Sequence, residues 1–539
     1  MHPELQVQNL DHLGLIAGLV DELEIVEQIN QVLGEDPREQ ISAGLVVKAM
    51  ILNGLGFVSS PLYLFEQFFR GKATEHLLGV GVLPESLNDD RLGRVLDRLY
   101  LYGLGPIFLS ICLLAAQKFG IRRKSAHLDA TSMSVSGAYA NAEEPLASST
   151  GMVPIQIVHG YSRDHRPDLK QFVLNLVCWD DGDIPAYLEL ADGNQSDKAR
   201  FGTLMSEFKK QWNFDGLYVA DSALYSEDNL KQLVGVRWLT RVPLTVKAAS
   251  ELVEILPEEA LQSSAQAAGY RMASVCSSYG GIAQRWIVVE SQERQKSDLK
   301  QLEKTLAKAT KQAEVKLRQL FAQAFACETD ALKALNQLKL PWHQLEAPTV
   351  TQTGHYDKPG KPKAGTEPDR ISYHPTATLK LKSDLVERHQ RRAGRFILAT
   401  NDLDAERLTT DQVLQEYKEQ QGCERGFRFL KDPLFFASSI FLKSPERIMA
   451  MAMIMGLCLL VYNLGQRQLR QTLEQTKQTI PNQLKKETKT PTLRWVFQCF
   501  MAIHYVRVNG IPQILNLSDV QRRILQCFGT SCRQYYMLC

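Results

Sequence analysis

Three acidic residues have surroundings that suit metal-dependent chemistry on phosphodiesters. Asp129 lies in the segment HLDAT, and Asp221 ends the apolar run GLYVAD, so both are predicted to lie on buried strands. A buried carboxylate is costly unless a cation or a metal compensates its charge. Glu424 lies much later in the chain, on a predicted helix. If the three converge, they can hold two divalent ions about 3.5 to 4 Å apart, as two-metal phosphoryl transfer requires.

The predicted helix from residue 410 to about residue 431 carries four polar residues on one face. The offsets 0, 3, 7 and 14 belong to Tyr417, Gln420, Glu424 and Lys431. At about 100° per residue they fall at roughly 0°, 300°, 340° and 320° around the axis. A phenol, an amide and a lysine that can contact phosphate oxygens thus accompany a metal-binding acid. An ordinary amphipathic helix also has a polar face, so the place of this helix in the chain order is what favours function.

Strand and helix patterns before this helix have a defined order. Strands are predicted for SAHLDATSMSV, VPIQIVHG, QFVLNLVCW, GLYVADSAL and VRWLTRV, with helices at 194–212 and 226–234. The order β-β-β-α-β-α-β is that of a ribonuclease-H-like core, so an α/β fold is expected.

The rest of the chain predicts further domains around that core. We expect an all-helical N-terminal domain at 1–120, the first part of the core at 121–245, an insertion domain at 246–394, the second part of the core at 395–470 and a C-terminal helical tail at 471–539. The insertion contains a charged stretch, 292–338, which predicts a solvated helical hairpin. Residues 351–370, rich in Gly, Pro and Lys, predict a loop.

Composition limits the function classes. The chain has 539 residues, of which 44% are hydrophobic, and a formal net charge of +2, so any surface for a polyanion must be local. Ten cysteines without a CxxC pair, and no apolar signal segment, predict a reduced, cytoplasmic protein. The apolar stretch 448–464 predicts a buried helix rather than a membrane span. No phosphate loop of the GxxxxGK[ST] kind occurs, so no nucleotide cofactor is expected.

Several motifs together resemble a known family. The segment YKEQQGCERGFRFLK is similar to the Tyr-Arg-Glu-Lys signature of bacterial insertion-sequence transposases of the insertion-sequence-four superfamily, although Gln420 stands where the family usually has arginine. The segments HLDATSMSVSG, HGYSRDHRPDLKQ and VADSALYS resemble its sixteen-thirty-four branch. The resemblance covers about residues 1–510. It implies a DDE triad of Asp129, Asp221 and Glu424, with Tyr417 and Lys431 near the DNA end.

The resemblance also implies a reaction and its partners. A transposase would hydrolyse a phosphodiester at each transposon end with two Mg²⁺ or Mn²⁺ ions and transfer the 3′-hydroxyl ends to target DNA. Its partners would be double-stranded transposon ends and target DNA, held by a homodimer or a larger synaptic complex. Two alternatives stay open: a catalytically inactive transposase-derived DNA-binding protein, and a ribonuclease-H-like nuclease that cuts without strand transfer.

Other residues are candidates for DNA contact. The segment 159–171 brings together Arg163, His165, Arg166 and Lys170, which fit phosphate contacts, although Asp164 and Asp168 also allow an ordinary polar hairpin. Trp286 is a candidate for stacking on a flipped base, with a core position as the alternative.

The N-terminal helical domain has its own candidate DNA surface. Helical spacing in LNDDRLGRVLDRLY places Arg91, Arg94 and Arg98 near one another, as in a helix that reads a groove or a backbone. The acidic neighbours in that segment leave a purely structural helix equally open.

Overall fold

The computed structural model describes residues 5–57, 60–137, 139, 151, 153–195, 197–357, 360, 365, 367–432, 442 and 444–538. The chain divides into two compact units. The first comprises Met1–Thr240, Tyr279–Ile282 and Gln415–Cys539, and the second comprises Arg241–Ser278 and Ala283–Leu414. The expected insertion domain, 246–394, falls almost entirely within the second unit.

The helices and strands follow one another in this chain order. The N-terminal part contains β1 (Leu5–Asn9), α1 (Leu13–Glu22), α2 (Ile25–Leu33), α3 (Ala43–Leu55), α4 (Phe65–Phe69), α5 (Thr74–Leu78), α6 (Asp89–Tyr102) and α7 (Leu104–Lys118). Next come β2 (Ser125–Val135), β3 (Lys170–Trp179), β4 (Pro185–Ala191), α8 (Asp197–Trp212), β5 (Leu217–Ala220), α9 (Glu227–Gln232) and β6 (Arg237–Val242). The middle part contains α10 (Lys247–Ile255), β7 (Gln262–Ser263), β8 (Tyr270–Tyr279), β9 (Ile282–Ser291), α11 (Gln292–Phe321), α12 (Glu328–Asn336), β10 (His343–His355), β11 (Arg370–Leu381), α13 (Ser383–Arg392) and β12 (Arg395–Thr400). The last part contains α14 (Thr410–Glu419), α15 (Gln421–Leu430), α16 (Pro445–Gln475), β13 (Ile480–Pro481), β14 (Glu487–Thr488), α17 (Leu493–Cys499), β15 (His504–Val508), β16 (Ile511–Leu515), α18 (Asp519–Gln526) and α19 (Thr530–Tyr535).

The first unit contains a mixed sheet with β2 near its centre. The strands lie in the order β4-β3-β2-β5-β6. The pairs β2–β3 and β3–β4 are antiparallel, whereas β2–β5 and β5–β6 are parallel. Ten of the eleven residues of β2 are buried, as in a strand that is covered on both faces.

The predicted order β-β-β-α-β-α-β is the observed order, but one strand was misidentified. The segment VPIQIVHG forms no strand and makes only an isolated bridge between Val158 and Gln171. The third strand is instead β4, whose backbone completes the pairing of β3. Apolar alternation predicted a strand in 153–160, but strand formation also needs an open edge in register, which β4 already occupies.

The aromatic residues at one end of the sheet explain how α8 packs. The ring of Trp179 in β3 lies 5.4 Å from that of Phe208 and 5.0 Å from that of Trp212, both on α8. Such tilted and edge-on aromatic pairs stabilise beyond the area that they bury. They anchor α8 on the sheet that carries Asp129.

The apolar helix α16 is a core helix. Among the described residues it is the one single helix that is long and apolar enough to cross a membrane. Helices α6 and α7 reach that length only if they are counted as one span, and they are bent by 89° at their junction. Its most apolar window has a mean hydropathy of 2.0, but 94% of that window is buried inside the protein. The buried helix predicted at 448–464 is therefore observed.

The two ends of the chain fold together, which differs from the expected helical domain and helical tail. The N-terminal strand β1 pairs with β15, and β15 pairs with β16, so both end regions contribute strands. Helix α19 packs closely on α1, because a Cβ added at Gly18 would lie 2.4 Å from the Cα of Cys532. Strand β15 and helix α19 thus pack against the N-terminal region of the chain.

The second unit combines a sheet, a long helix and a hairpin. The strands lie in the order β12-β9-β8-β7. Helix α11 has 30 residues, and its Leu317 and Leu320 pack with Leu335 of α12 in one apolar cluster. The loop expected at 351–370 is shorter than predicted, since residues 351–355 belong to β10, which pairs with β11.

Candidate active site

Asp129 and Asp221 lie at the same level on neighbouring parallel strands. In the register of β2 and β5, Leu128 is opposite Ala220; Asp129 is the next residue of β2, and Asp221 directly follows the end of β5. Paired strands lie about 4.8 Å apart. The pairing of β2 with β5 therefore brings these two acids together, although they are far apart in the sequence and no local pattern shows that they meet.

The backbone around Asp221 is fixed by two hydrogen bonds. Its Oδ1 accepts from the backbone N–H of Ala223 at 2.9 Å, which caps the short helical turn Ser222–Leu224. Its carbonyl accepts from the hydroxyl of Thr240 on β6 at 2.6 Å. These contacts hold Asp221 at the carboxyl end of β5, where open sheets commonly place ligand-binding groups.

Glu424 is brought to this end of the sheet by α15. Two buried side chains tie the helix to the carbonyl groups that precede Asp129: Gln420 donates its amide to Leu128 at 2.8 Å, and the Cys423 thiol to His127 at 2.9 Å. Buried hydrogen bonds of this kind specify one register, because leaving their partners unpaired is costly. Glu424 follows directly and is exposed.

The predicted single helix is two helices in the structure. At the junction, the N–H of Gln420 bonds to the carbonyl of Tyr417, and that of Cys423 to Gln420, so these bonds span three residues instead of four. Because of this tighter turn, the residues of α14 and α15 do not share the single helical face that the sequence spacing predicted. Gln420 is 6% exposed and faces the protein, Tyr417 is half-buried at the end of α14, and Lys431 follows the last residue of α15.

The protonation state of Asp129 reflects its position. Burial, together with the charges of Asp221 and Glu424, raises the pKa of Asp129 to about 7, while the charge of Arg163 acts in the opposite direction. Asp129 is only 8% exposed. The structure therefore brings the three acids into one electrostatic neighbourhood, and three carboxylates are the oxygen donors that Mg²⁺ and Mn²⁺ prefer.

Arg163 reaches into this neighbourhood from the loop between β2 and β3. One of its Nη atoms lies 3.6 Å from Oδ1 of Asp129 and donates to the carbonyl of Ala130. Its backbone N–H donates to Oγ of Ser132 at 3.1 Å. The sequence analysis predicted a DNA contact for Arg163, and it did not predict the position of Arg163 as a counter-charge for Asp129.

Protein partners are present for Lys431 at the end of α15 and for two further basic residues of the segment 159–171. The ammonium group of Lys431 binds both carboxylate oxygens of Asp164, at 2.7 and 2.8 Å. Arg166 is paired with Asp168 at 2.7 Å, and Lys170 donates to the carbonyl of Tyr139 at 3.3 Å. His165 is exposed with a φ of 56°. Of the two acids of this segment, Asp168 pairs with a cation of the segment itself and Asp164 pairs with Lys431.

Two candidate DNA contacts have the placement of interior residues. Trp286, on β9, is 3% exposed, and its Nε1 donates to Oε1 of Gln284 at 3.0 Å, as in the core position that the sequence left open. The amide of Gln420 is committed to the backbone of β2, so it is not available at the surface where the family usually has arginine. In both cases burial, which spacing does not reveal, decides the role.

The N-terminal arginines also bind the protein itself. Arg91 is 7% exposed and donates to Oε2 of Glu39 at 2.7 Å, and Arg98 donates to the carbonyl of Leu33 at 2.6 Å. Arg94 is exposed. Arg91 and Arg98 therefore stabilise the fold, which is the structural role of α6 that the sequence left open.

A second polar cluster near Asp129 escaped the sequence analysis. Ligand atoms of His127, Glu416 and Glu419 lie within 4.8 Å of one another. Glu416 is already bound by the ammonium group of Lys124 and by the hydroxyl of Ser125, which donates at 2.6 Å. Burial lowers the pKa of His127 to about 4. These contacts form an internal network that joins α14 to β2. In the sequence, the only sign of this network was that His127 lies two residues before Asp129, on the same face of the strand.

The fold and the site together define a class of protein. It is a mixed α/β protein with carboxylates at two neighbouring strands and on a later helix. Residues 126–464 match the family model described as "Transposase DDE domain", and residues 5–113 match "Domain of unknown function (DUF4277)". Because the first match spans more than half of the chain, the chain belongs to the transposase DDE domain family.

Two further comparisons add little to this assignment. No match was found among the curated proteins. Among solved structures, the cryo-EM structure of the piggyBac transposase synaptic complex with hairpin DNA is similar, with a TM-score of 0.38 and 10% identity over 93% of this chain and 83% of that chain.

Proposed function

We propose that this protein is an active DNA transposase that binds insertion-sequence ends, hydrolyses phosphodiesters with two divalent ions and transfers the 3′-hydroxyl ends to target DNA. The observation that carries the proposal is that Asp129 and Asp221 directly follow the paired residues Leu128 and Ala220, and that the charge of Glu424 also acts on Asp129. The match to the transposase family supports the same reaction class. All three acids of the DDE motif are present in this chain.

We assign the sheet of the first unit to the ribonuclease-H-like class. The support is its strand order, in which the third, second and first strands of the core are followed by the fourth and fifth, with only the first three antiparallel. The second unit is then the insertion between the last core strand and the glutamate helix. That is where the family resemblance places an insertion.

The three carboxylates have distinct roles in this proposal. Asp129 would bind both ions, and Asp221 and Glu424 would bind one each. Mg²⁺ or Mn²⁺ ions supply an activated water or hydroxyl nucleophile and neutralise the charge that develops on phosphate. Tyr417 and Lys431 would orient the phosphate of the DNA end, with Lys431 acting as a point charge.

The proposed DNA surface continues into the β2–β3 loop. Arg163, His165, Arg166 and Lys170 lie there, and phosphate contacts of this type set affinity and register without reading sequence. Joining two ends implies a homodimer in the synaptic complex. A cytoplasmic location fits the nine described cysteines, which are all free thiols.

The first test removes one metal ligand while keeping its shape. Asp129→Asn should abolish Mg²⁺-dependent cleavage of a duplex that carries the element's own end, yet leave binding of that duplex within a few-fold, because phosphate contacts elsewhere carry affinity. Asp228→Asn, at an exposed acid of α9 outside the proposed DNA surface, is the control and should cleave normally. Full cleavage by Asp129→Asn would refute the assignment. Retained cleavage without joined products would favour the nuclease alternative.

The second test measures metal binding without measuring activity. Mn²⁺ at 100 times its dissociation constant should stabilise the wild type by about 2.7 kcal/mol per site. Asp129→Asn and Asp221→Asn should lose most of that gain in a thermal unfolding assay, whereas Asp168→Asn should keep it. Equal stabilisation of all four proteins would place the ions elsewhere and favour the catalytically inactive alternative.

A further inference from the structure

A cleft of about 500 Å³ lies beside the Glu424 helix, and no residue that lines it was singled out from the sequence. Its walls come from α15, α16, the start of α17 and the turn after β3. Four arginines and two aspartates line it: Arg425, Arg428, Arg470, Arg494, Asp183 and Asp432. The volume lies in the range of about 300–1,000 Å³ that small-ligand sites occupy.

Only two of these arginines have carboxylate partners within the described residues. Arg425 binds Asp183 and Arg494 binds Asp432, each at 2.7 Å. Arg470 is half-buried and donates its Nε to the carbonyl of Pro491 at 2.9 Å. Burial lowers the pKa of Arg470, as expected for a guanidinium that has lost water. The cleft therefore keeps two net positive charges.

Arg428 is one of the exposed cations of the cleft. It is exposed, and in the part of the chain that the structure describes its side chain has no hydrogen-bond or ion-pair partner. It follows Glu424 by four residues on α15, so the two side chains lie on one side of the helix, about 40° apart. An anion bound at Arg428 would consequently lie next to the proposed metal site.

Aromatic rings complete the cleft. Phe429 and Tyr462 both line it, with ring centroids 4.7 Å apart, and both are half-buried. A wall of rings beside guanidinium groups suits a nucleotide, since sugar and base pack on the rings and phosphate binds the cations. An acidic peptide would use the cations but would leave the rings unmatched.

We propose that this cleft binds the sugar–phosphate backbone of a DNA strand as it leaves the catalytic acids, with Arg428 and Arg470 as its phosphate ligands. The assignment rests on the proposed function, since it takes DNA as the substrate. It adds a contact surface on α15 whose lining includes no residue of the β2–β3 loop.

The test uses the full chain and a duplex of arbitrary sequence, about three helical turns or roughly 30 base pairs long. Arg428→Gln should weaken binding and lower the log-log salt slope by about 0.9, the value for one lost phosphate contact. Arg428→Lys keeps the charge and should restore most of the slope. Arg522→Gln is the matched control, because Arg522 is also an exposed helical arginine of the first unit but lies outside the cleft.

Each outcome separates this inference from the proposed function. Equal slopes for wild type and Arg428→Gln, with duplex binding intact, would overturn the cleft assignment alone. Failure of the wild type to bind any duplex would overturn both. Binding of deoxyadenosine monophosphate that is lost in Arg428→Gln, with an unchanged duplex slope, would show a free-nucleotide site and also reject the assignment to a DNA strand.

Discussion

At Asp129, burial and two neighbouring carboxylates act in the same direction. The pKa of about 7 means that this acid is largely protonated at mildly acidic pH without metal. Arg163, at 3.6 Å, opposes the shift but does not cancel it. Such a perturbed acid is typical of sites that exchange protons for metal ions, because metal ligands must be deprotonated.

The raised pKa predicts a pH-dependent stability difference. The folded pKa of Asp129 lies above its ordinary value of 3.8, so the folded form holds a proton that the unfolded form has lost, and stability falls as pH rises towards and through 7. Without divalent ions, Asp129→Asn should therefore gain on the wild type by up to about 3 kcal/mol between pH 5 and pH 8. Urea unfolding across that range measures the difference.

A control and a contrary result are available for this prediction. Asp168→Asn should show no such gain, because the ion pair with Arg166 lowers the pKa of Asp168. A constant difference between Asp129→Asn and the wild type at every pH would mean that Asp129 is ionised throughout.

At the scale of elements, the junction of α14 and α15 and the β2–β3 loop decide which side chains are available. The junction turns Gln420 inward, and the loop places Asp164 on the ammonium group of Lys431. Lys431 is therefore held by a carboxylate where the proposed function needs a phosphate. Binding DNA there would exchange one anion for another.

Removing the competing anion should strengthen DNA binding. Asp164→Asn leaves Lys431 free for phosphate, so the affinity for duplex should rise and the log-log salt slope should steepen by about 0.9. Adding Lys431→Ala should abolish this gain. Glu66→Gln, which breaks a surface ion pair with Arg70, makes the same charge change elsewhere in the first unit. If that control or the double variant shows the same gain, net charge rather than Lys431 is responsible. Fluorescence anisotropy at several salt concentrations measures all four proteins.

At the scale of the whole molecule, the last helix is part of the N-terminal layer. The hydroxyl of Tyr535 donates to Asp21 at 2.6 Å and accepts from the ammonium group of Lys48 at 2.8 Å. Lys48 is 4% exposed, so its charge depends on these partners. A buried cation that loses a partner is costly, and the contact spans nearly the full length of the chain.

Removing this hydroxyl tests the docking of the last helix. Tyr535→Phe should lower the free energy of unfolding by about 1 kcal/mol or somewhat more, because the buried Lys48 loses one acceptor and the half-buried Asp21 loses one donor. Tyr161→Phe, at a side chain that is 86% exposed, should change it by less than about 0.5 kcal/mol. Chemical denaturation followed by tryptophan fluorescence measures both. Equal stabilities would mean that the C-terminal segment is not docked in solution.

The sequence by itself determined the features that depend on local pattern. Apolar runs predicted β2, β3, β5, β6 and the buried helix α16. Acidic residues on predicted buried strands and on the polar face of a predicted helix made candidates of Asp129, Asp221 and Glu424. The order of the elements follows from the same patterns, since the spacing of apolar residues differs between strands and helices. The family resemblance depended on residue types at fixed spacing, which the chain also carries locally.

Only the tertiary structure decided which of those residues meet and which are accessible. The level of Asp129 and Asp221 depends on strand register, and the inward turn of Gln420 depends on a hydrogen bond to a strand nearly three hundred residues earlier. Trp286 and Arg91 were candidates by residue type, and burial made them interior residues. The arginine cleft joins α15 to residues of α16 and α17. Burial and long-range pairing are set by free energy summed over the whole fold, so they leave no local pattern in the chain.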